Sequence, residues 1–238
     1  PNLPPIDGDK PAVDIGTLAL GFLHACARMP NGTVRCWGDN GAGQLGDGIP
    51  FDGPRDEAIV PQNVPGIKDA VGIAAGLSHT CVIHKGGTVS CWGINSFGQL
   101  GDGTKQRSSS PVDVNGLTDA IELAGGTSFM CALRKDHSVS CWGANYSGQL
   151  GDGTTTDRGS PASVKGVSKA VTIAAAEHHA CAVHDDGTVS CWGRSDDGQI
   201  GNGIVTKASD PPVPPTKLGG LSDIVQVAAA SRFACARQ

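Results

Sequence analysis

The sequence has few of the large apolar residues that fill helical cores, and it has no long apolar run. Of its 238 residues, four are Trp, one is Tyr, five are Phe and two are Met. Because no stretch of eighteen apolar residues occurs, we expect no transmembrane helix. The start, Pro1 to Pro11, lacks a positive region followed by an apolar stretch, so it contains no signal peptide, although processing could have removed one.

Positive charge and familiar enzyme motifs are also scarce. The chain has 18 Lys and Arg against 23 Asp and Glu, for a net charge of −5, which disfavours nonspecific attraction to nucleic acid or to an anionic membrane. It contains no Gly-x-Ser-x-Gly, Walker loop or His-Glu-x-x-His. We therefore predict no enzyme, no cofactor, no nucleic-acid partner and no membrane insertion.

What the sequence does contain is an internal repeat of about fifty residues, rich in Gly and Cys. Five cysteines follow one another at intervals of 55, 50, 50 and 54 residues, and each of the first four begins the pattern Cys-x9-Cys-Trp-Gly. Seven residues after each Trp comes Gln-Leu-Gly-Asp-Gly or, in the fourth copy, Gln-Ile-Gly-Asn-Gly. The five cysteines are Cys26, Cys81, Cys131, Cys181 and Cys235.

Each repeat predicts four short strands. In the second copy these are Val71 to Ala75, His79 to Ile83, Thr88 to Gly93 and a last segment from Pro111 to Val114, which belongs at a sheet edge because Pro lacks the amide donor. Four-stranded antiparallel sheets at this period indicate an all-β β-propeller; a β-helix or another solenoid is the alternative. The chain is then one propeller domain, or a fragment of one, with units at about 13–64, 65–114, 115–164, 165–218 and an incomplete 219–238.

The turn residues place the two cysteines of each repeat opposite each other. A three-residue hairpin loop centred on Gly86 pairs Ile83 with Val89 and Cys81 with Cys91. Opposed strand residues are close enough for a disulfide, whereas each hairpin offers only two thiolates to a zinc ion. We predict four disulfides and an oxidising compartment, with free thiols or metal as the alternatives. The pairs are Cys26 with Cys36, Cys81 with Cys91, Cys131 with Cys141 and Cys181 with Cys191, and Cys235 is unpaired.

The repeat from Gly76 to Thr104 resembles that of the regulator of chromosome condensation family. The resemblance covers almost the whole chain, from about Val13 onward, and implies a propeller, typically of seven blades, whose ring is closed by strands from both chain ends. Its members include nuclear exchange factors, plant ultraviolet sensors and a secreted bacterial inhibitor, and the Cys pairs look like those of bacterial exported members. On this basis the fifth repeat is cut in mid-hairpin, and Pro4 to Ile6 belongs to the edge strand of an earlier blade.

Residues that recur in every repeat are best explained by structure. Trp37, Trp92, Trp142 and Trp192 are expected to pack between blades; light sensing and carbohydrate stacking are the alternatives. The His at 24, 79 and 179 shares its slot with Phe129 and Phe233, which indicates packing. The Asp of Gly-Asp-Gly supports a turn, and calcium is the alternative. The cluster His178, His179, His184, Asp185 and Asp186 is an alternative divalent-metal site, but strand alternation sends His178 and His179 to opposite faces.

The repeats differ most between the Gly-Asp-Gly turn and the edge strand, and recognition usually lies in such variable loops. We predict a non-catalytic, secreted or cell-surface scaffold that binds a protein through these loops on one rim. A structural module of a larger adhesin or filament-associated protein, and an enzyme or glycan-binding module with an unrecognised site, are the alternatives. The candidate contact residues are Phe51, Arg55, Asp56, Lys105, Arg107, Asp157, Arg158, Lys207 and Asp210.

Overall fold

The computed structural model describes residues 17–51, 57–207 and 210–238, and all the regular elements in these ranges are β-strands. No helix in the described part of the chain is long and apolar enough to cross a membrane. The strands form four antiparallel sheets of four strands and one of two, each sheet following chain order from its first strand to its last. The chain therefore folds as consecutive propeller blades, which we name A to E.

The blades have these bounds. Blade A comprises β1 (Thr17–Leu20), β2 (His24–Arg28), β3 (Val34–Gly38) and β4 (Ala58–Asn63). Blade B comprises β5 (Ala70–Ala75), β6 (His79–His84), β7 (Val89–Gly93) and β8 (Ser108–Asp113). Blade C comprises β9 (Ala120–Gly125), β10 (Phe129–Arg134), β11 (Val139–Gly143) and β12 (Arg158–Ser163). Blade D comprises β13 (Ala170–Ala175), β14 (His179–His184), β15 (Val189–Gly193) and β16 (Val213–Lys217), and blade E has β17 (Gln226–Ala230) and β18 (Phe233–Arg237).

The central hairpin of each of blades A to D has the predicted register. In blade B, Ile83 pairs with Val89 and Cys81 with Cys91. Its loop closes with Gly87 at φ 94°, and in blade C, where no Gly is present, His137 takes the same left-handed conformation at φ 64°. All four Cys pairs of blades A to D are disulfides with Cα atoms 4.1 Å apart, and Cys235 is a free, exposed thiol.

The Pro-containing segment is the edge strand of its sheet, as predicted, but its bounds differ. Strand β8 begins three residues before Pro111 and ends at Asp113 instead of Val114. It pairs with β7 on both sides of a register shift between Cys91 and Gly93. Pro111 lies within this bulge, where the ladder needs no amide donor. The strand therefore extends past the residue that marked its predicted start.

The core lies between neighbouring blades, and the interfaces A–B, B–C and C–D each contain one tryptophan. Trp92, Trp142 and Trp192 are fully buried, and each shares a cluster with the disulfide cysteines of the preceding blade. Each indole Nε1–H donates across the interface to the backbone oxygen of Gln44, Gln99 or Gln149, at 2.9, 3.0 and 2.9 Å. Trp37 is half-buried, on the face of blade A that none of the described blades covers.

Candidate functional site

One face of the propeller carries all the turns between first and second strands and all the loops between third and fourth strands. We call it the loop face. The turns are joined around the propeller axis by backbone hydrogen bonds: Phe22 N–H donates to Leu77 O at 3.1 Å, Leu77 N–H to Thr127 O at 3.2 Å, and Thr127 N–H to Glu177 O at 3.3 Å. They surround a cavity of about 520 Å³ at the centre of the face. The position of each turn is thus fixed relative to the next blade.

The long loops are held in shape by buried amide side chains. In blade C, Asn145 is fully buried, its Oδ1 accepts from Leu150 N–H at 3.0 Å, and its Nδ2 donates to Asp152 at 3.1 Å. The side-chain oxygen of Gln149 accepts from Ser147 N–H at 2.8 Å. Asn95 and Gln99 make the corresponding contacts in blade B. The recurring Gln-Leu-Gly-Asp-Gly residues therefore support a rigid loop, and the residues that differ between repeats are displayed on it.

Three aromatic rings from three successive blades lie together on this face. Phe97 of blade B and Tyr146 of blade C have ring centroids 6.2 Å apart, and Tyr146 meets the His178 ring of blade D edge-on at 5.2 Å. Phe97 is 36% exposed and Tyr146 is 51% exposed. The Tyr146 hydroxyl lies 3.2 Å from His178 Nδ1. Burial lowers the pKa of His178, so its ring is neutral at pH 7. We call Phe97, Tyr146 and His178 the aromatic cluster.

Charged residues of both signs border the aromatic cluster on the side of blades D and E. Glu177 lies 3.5 Å from His178 Nε2 and accepts from the Ser231 hydroxyl at 2.5 Å, and this hydrogen bond lowers the pKa of the Glu177 carboxyl. Arg194 forms an ion pair with Asp196. A crevice of about 290 Å³ runs from Tyr146 past these two residues. The site is thus an aromatic centre with a charged border.

A family model described as the RCC1-like domain matches residues 3–236. The chain belongs to the RCC1-like domain family. Rat probable E3 ubiquitin-protein ligase HERC4 is 36% identical over 89 residues, which are 37% of this chain and 8% of that protein. The ultraviolet-B receptor UVR8 of Arabidopsis thaliana is 34% identical over 92 residues, 37% of this chain and 20% of that protein. The chain thus spans a fifth or less of the length of these two relatives.

Solved structures support the same RCC1-like fold. In the crystal structure of Kap60 bound to yeast RCC1, the matching chain is similar to this one with a TM-score of 0.78 and 22% identity, over 92% of this chain and 52% of that chain. The four-stranded antiparallel sheets that repeat along this chain agree with that similarity. The sequence-based assignment to all-β propeller blades is confirmed.

The candidate contact residues predicted from this RCC1-like sequence largely make contacts within the chain. Arg107 of blade B stacks over the Phe51 ring of blade A, with its guanidinium carbon 3.9 Å from the ring centroid. Asp157 accepts from the Asn145 backbone N–H at 2.8 Å. These side chains stabilise loops and the junction between blades, which leaves them less available to a partner than a freely exposed residue.

The remaining candidates are distributed as follows. Arg158 forms an ion pair with Asp152 at 2.9 Å. Burial works to raise the pKa of Asp152, but hydrogen bonds from Thr154, Arg158 and Asn145 lower it. Asp210 accepts from the Lys207 backbone N–H at 2.7 Å, and both line the crevice beside Tyr146. Lys105 is exposed, and Arg55 and Asp56 lie outside the described residues.

The histidines and aspartates weighed as a metal site in blade D make separate contacts. His179 is buried inside β14, whereas His178 contacts the aromatic cluster. His184 hydrogen-bonds Ser168 O and the Ser190 hydroxyl, at 2.7 and 2.8 Å. In the part of the chain that the structure describes, no three His, Cys, Asp or Glu side chains converge as metal ligands would.

Phe97 and Tyr146 are absent from the sequence-based candidates, and His178 was named among them only as part of the alternative metal site. Phe97 and Tyr146 do not occupy one slot of the repeat: Phe97 aligns with Ser147, and Tyr146 aligns with Ser96. A usable signal was present, because an aromatic residue replaces a small polar one at each position. The sequence-based prediction placed the contact residues in the longer loops downstream and therefore did not include these two positions.

Proposed function

We propose that this RCC1-like chain is a non-catalytic extracellular scaffold that binds a protein partner through its loop face. The observation that carries the proposal is the aromatic cluster, which presents Phe97 and Tyr146 to solvent on loops held rigid by buried amides. Aromatic residues and Arg are enriched among the interface residues that contribute most of the binding energy, and a polar border typically surrounds them. Arg194, Asp196 and Glu177 supply that border.

The rigid support matters energetically because an ordered loop loses little entropy on binding. The Asn145 and Gln149 hydrogen bonds fix the backbone next to Tyr146, and the edge contact with His178 restrains its ring. Tyr has only two side-chain torsions to restrain, so it supplies contact area at low entropic cost. The yeast relative, for comparison, was solved with Kap60 bound to it.

Four disulfides support the extracellular part of the proposal, because such bridges persist in oxidising compartments. Each closes a segment with a sequence separation of ten residues. In the cytosol and nucleus, by contrast, cysteines are normally kept as thiols.

Photocrosslinking with benzoylphenylalanine in place of Tyr146 tests the proposal. The crosslinker at 146 should capture a discrete partner from the culture medium or surface extract of the source organism. The same group at Lys85, which is exposed on the hairpin at the opposite face, should not. Equal capture from both positions would refute a loop-face site.

The residues of sister blades supply matched substitutions for the affinity measurement. Tyr146→Ser and Phe97→Ser each install the residue that the aligned blade carries, so the fold should be retained. Loss of a central aromatic contact should weaken binding of the captured partner by about 2 kcal/mol, roughly thirty-fold, whereas Lys85→Ser, on the opposite face, should change it little. Unchanged affinity in both aromatic variants would exclude the cluster as the binding centre.

A further inference from the structure

Two carboxylates without a basic partner flank the aromatic cluster. Glu177 lies 3.5 Å from Nε2 of His178, whose ring is neutral at pH 7. Asp157 accepts from the backbone N–H of Asn145, the residue before Tyr146, at 2.8 Å. In the part of the chain that the structure describes, neither carboxylate lies within ion-pair distance of a Lys or Arg. We call Glu177 and Asp157 the flanking carboxylates.

The other charged residues along the crevice beside the cluster balance one another. Arg194 forms an ion pair with Asp196. Lys207 lies beside Asp210, which accepts its backbone N–H at 2.7 Å, and all four residues line the crevice. Because these cations and carboxylates are equal in number, the flanking carboxylates leave the surroundings of the cluster with an excess of negative charge.

Both flanking carboxylates act on the hydroxyl of Tyr146. Burial raises the pKa of this hydroxyl, and so do the charges of Glu177 and Asp157, whereas the charge of Arg194 lowers it. The hydroxyl therefore stays protonated at pH 7. The face of a Tyr ring attracts a cation that lies within about 6 Å of the ring centroid. The ring and the two carboxylates thus favour a bound group of the same sign, which is positive.

The repeat itself does not require these two negative charges. In the neighbouring blades the aligned residues are neutral or positive. Thr127 and Ser231 align with Glu177, and Arg107 and Lys207 align with Asp157. Between repeats that share their supporting residues, such differences indicate what one part of the surface recognises. The negative charge is therefore a feature of the aromatic cluster and not of the blade.

We propose that the aromatic cluster binds an Arg side chain of the partner protein. The guanidinium stacks on the Tyr146 ring and pairs with the Glu177 carboxylate, and Asp157 adds attraction through its charge. Arg suits this site better than Lys, because its planar group stacks on aromatic rings and bonds a carboxylate through two donors. Within this chain, Arg107 already stacks on the Phe51 ring in this way. The inference rests on the loop-face function proposed above and specifies the chemistry of its partner.

Fluorine NMR on the single tyrosine of the chain tests the proposal. Fluorotyrosine enters only at Tyr146, so its one resonance reports on the aromatic cluster. The probe is a short peptide of Gly, Ser and Arg, and its control carries citrulline, which has nearly the same shape without the charge, in place of each Arg. The Arg peptide should shift the resonance saturably and bind at least about ten-fold more tightly than the citrulline peptide. Equal binding of the two peptides would overturn the proposal.

Isosteric variants show whether the flanking carboxylates supply the attraction. Glu177→Gln and Asp157→Asn each retain an oxygen acceptor for the existing hydrogen bond and remove one negative charge. Each should weaken binding of the Arg peptide about three-fold, and binding of the citrulline peptide should not change. An unchanged affinity for the Arg peptide in both variants would exclude the carboxylates from the site.

A matched control removes a negative charge from the opposite face. Asp186 lies on the β14–β15 hairpin and accepts from the Thr188 backbone N–H, and in blade A Asn31 occupies the same slot with the same bond to Thr33. Asp186→Asn should therefore fold and leave the affinity for the Arg peptide unchanged. If it weakens binding as much as Glu177→Gln does, the peptide responds only to the net charge of the chain, and the proposal is wrong.

The partner captured at position 146 separates this inference from the proposed function. If its affinity falls in Tyr146→Ser but is unchanged in Glu177→Gln and Asp157→Asn, the loop face is the binding site and the Arg inference fails. If each carboxylate variant weakens it about three-fold, the inference is supported. If the Arg peptide binds as expected but position 146 captures no partner, the cationic site is supported and the loop-face function fails.

Discussion

Acid should destabilise this protein through histidines in the slot two residues before the first cysteine of a blade. His79 is fully buried, and neither ring nitrogen makes a hydrogen bond of good geometry among the described residues, although the Phe129 backbone lies close enough to interact with the ring. Desolvation, together with the neighbouring His24, lowers the pKa of His79 to about 3. Desolvation, opposed by the charge of Asp39, lowers the pKa of His24 to about 4. Both rings are neutral in the fold at any mildly acidic pH.

The direction and size of the effect follow from proton linkage. Between pH 6.5 and the folded pKa, the unfolded chain binds a proton that folded His79 refuses, so stability is complete above pH 6.5 and falls as the pH drops. At pH 5, about 1.5 pH units below 6.5, the free energy of unfolding is lower by about 1.36 kcal/mol for each pH unit, or roughly 2 kcal/mol. The figure depends little on the folded pKa, because pH 5 lies above it. His24 adds a similar loss, since its folded pKa is also below 5.

Blade C indicates which substitution at His79 the fold should accept, because Phe129 occupies the same slot there. In both blades a Gly stands three residues before the ring. A Cβ placed on it would meet His79 Cε1 at 2.1 Å in blade B and Phe129 Cε1 at 1.9 Å in blade C, so the two rings lie in matching positions. His79→Phe should therefore fold. At pH 7.5 it should be at least as stable as wild type, because it removes buried polar nitrogens from an apolar slot.

Urea unfolding at pH 7.5 and pH 5.0 is the assay. Wild type and His79→Phe share every other titrating group. Between pH 7.5 and pH 5.0, wild type should therefore lose about 2 kcal/mol more of its free energy of unfolding than His79→Phe, and this difference is due to His79. Phe129→His is the reciprocal control and should acquire an extra loss of about that size at pH 5.0. If wild type and His79→Phe lose the same free energy between the two pH values, His79 is not the acid-sensitive group and the reasoning fails.

Two further predictions concern the blade interfaces and the hairpins. Trp142→Phe removes the donor to the Gln99 oxygen and should lower the free energy of unfolding, measured in urea, by about 1–3 kcal/mol. Trp37→Phe, which replaces a half-buried indole, should lower it less. Equal losses in the two variants would contradict an interface role for Trp142. Replacing both Cys131 and Cys141 by Ala releases a loop with a sequence separation of ten residues. It should lower stability by about 2–3 kcal/mol, and an unchanged urea midpoint would show that the bridge does not form.

Sequence alone was sufficient for the blades because local rules determine them. The hairpin register of β6 and β7 follows from a loop length and a left-handed Gly, and the facing cysteines then follow by counting. The predicted bounds of β5, β6 and β7 differ from the observed ones by one residue each, whereas those of β8 differ more, because Pro111 was read as the start of the strand although a bulge accommodates it in the interior. Each of these features involves residues close in sequence.

The candidate site was harder to predict because it depends on how three blades are placed relative to one another. Phe97 and Tyr146 are neighbours only because successive turns and loops are bonded blade to blade. Conversely, Asp157 and Arg158 looked available in the sequence but bind Asn145 and Asp152 within their own loop. A charged residue in a tight loop commonly satisfies that loop's backbone or its own ion pair first.

Repeat symmetry offers a criterion for locating function in such a chain. A residue found at the same slot of every blade supports the blade, as the acceptor Gln and its facing Trp do. A residue that departs from its slot is informative only when it is exposed and lies next to another departure from a different blade. Phe97 and Tyr146 meet both conditions, whereas Phe129 departs from its slot but is buried. By this criterion, the loop face is the candidate for binding, whereas the buried slot of His79 serves packing.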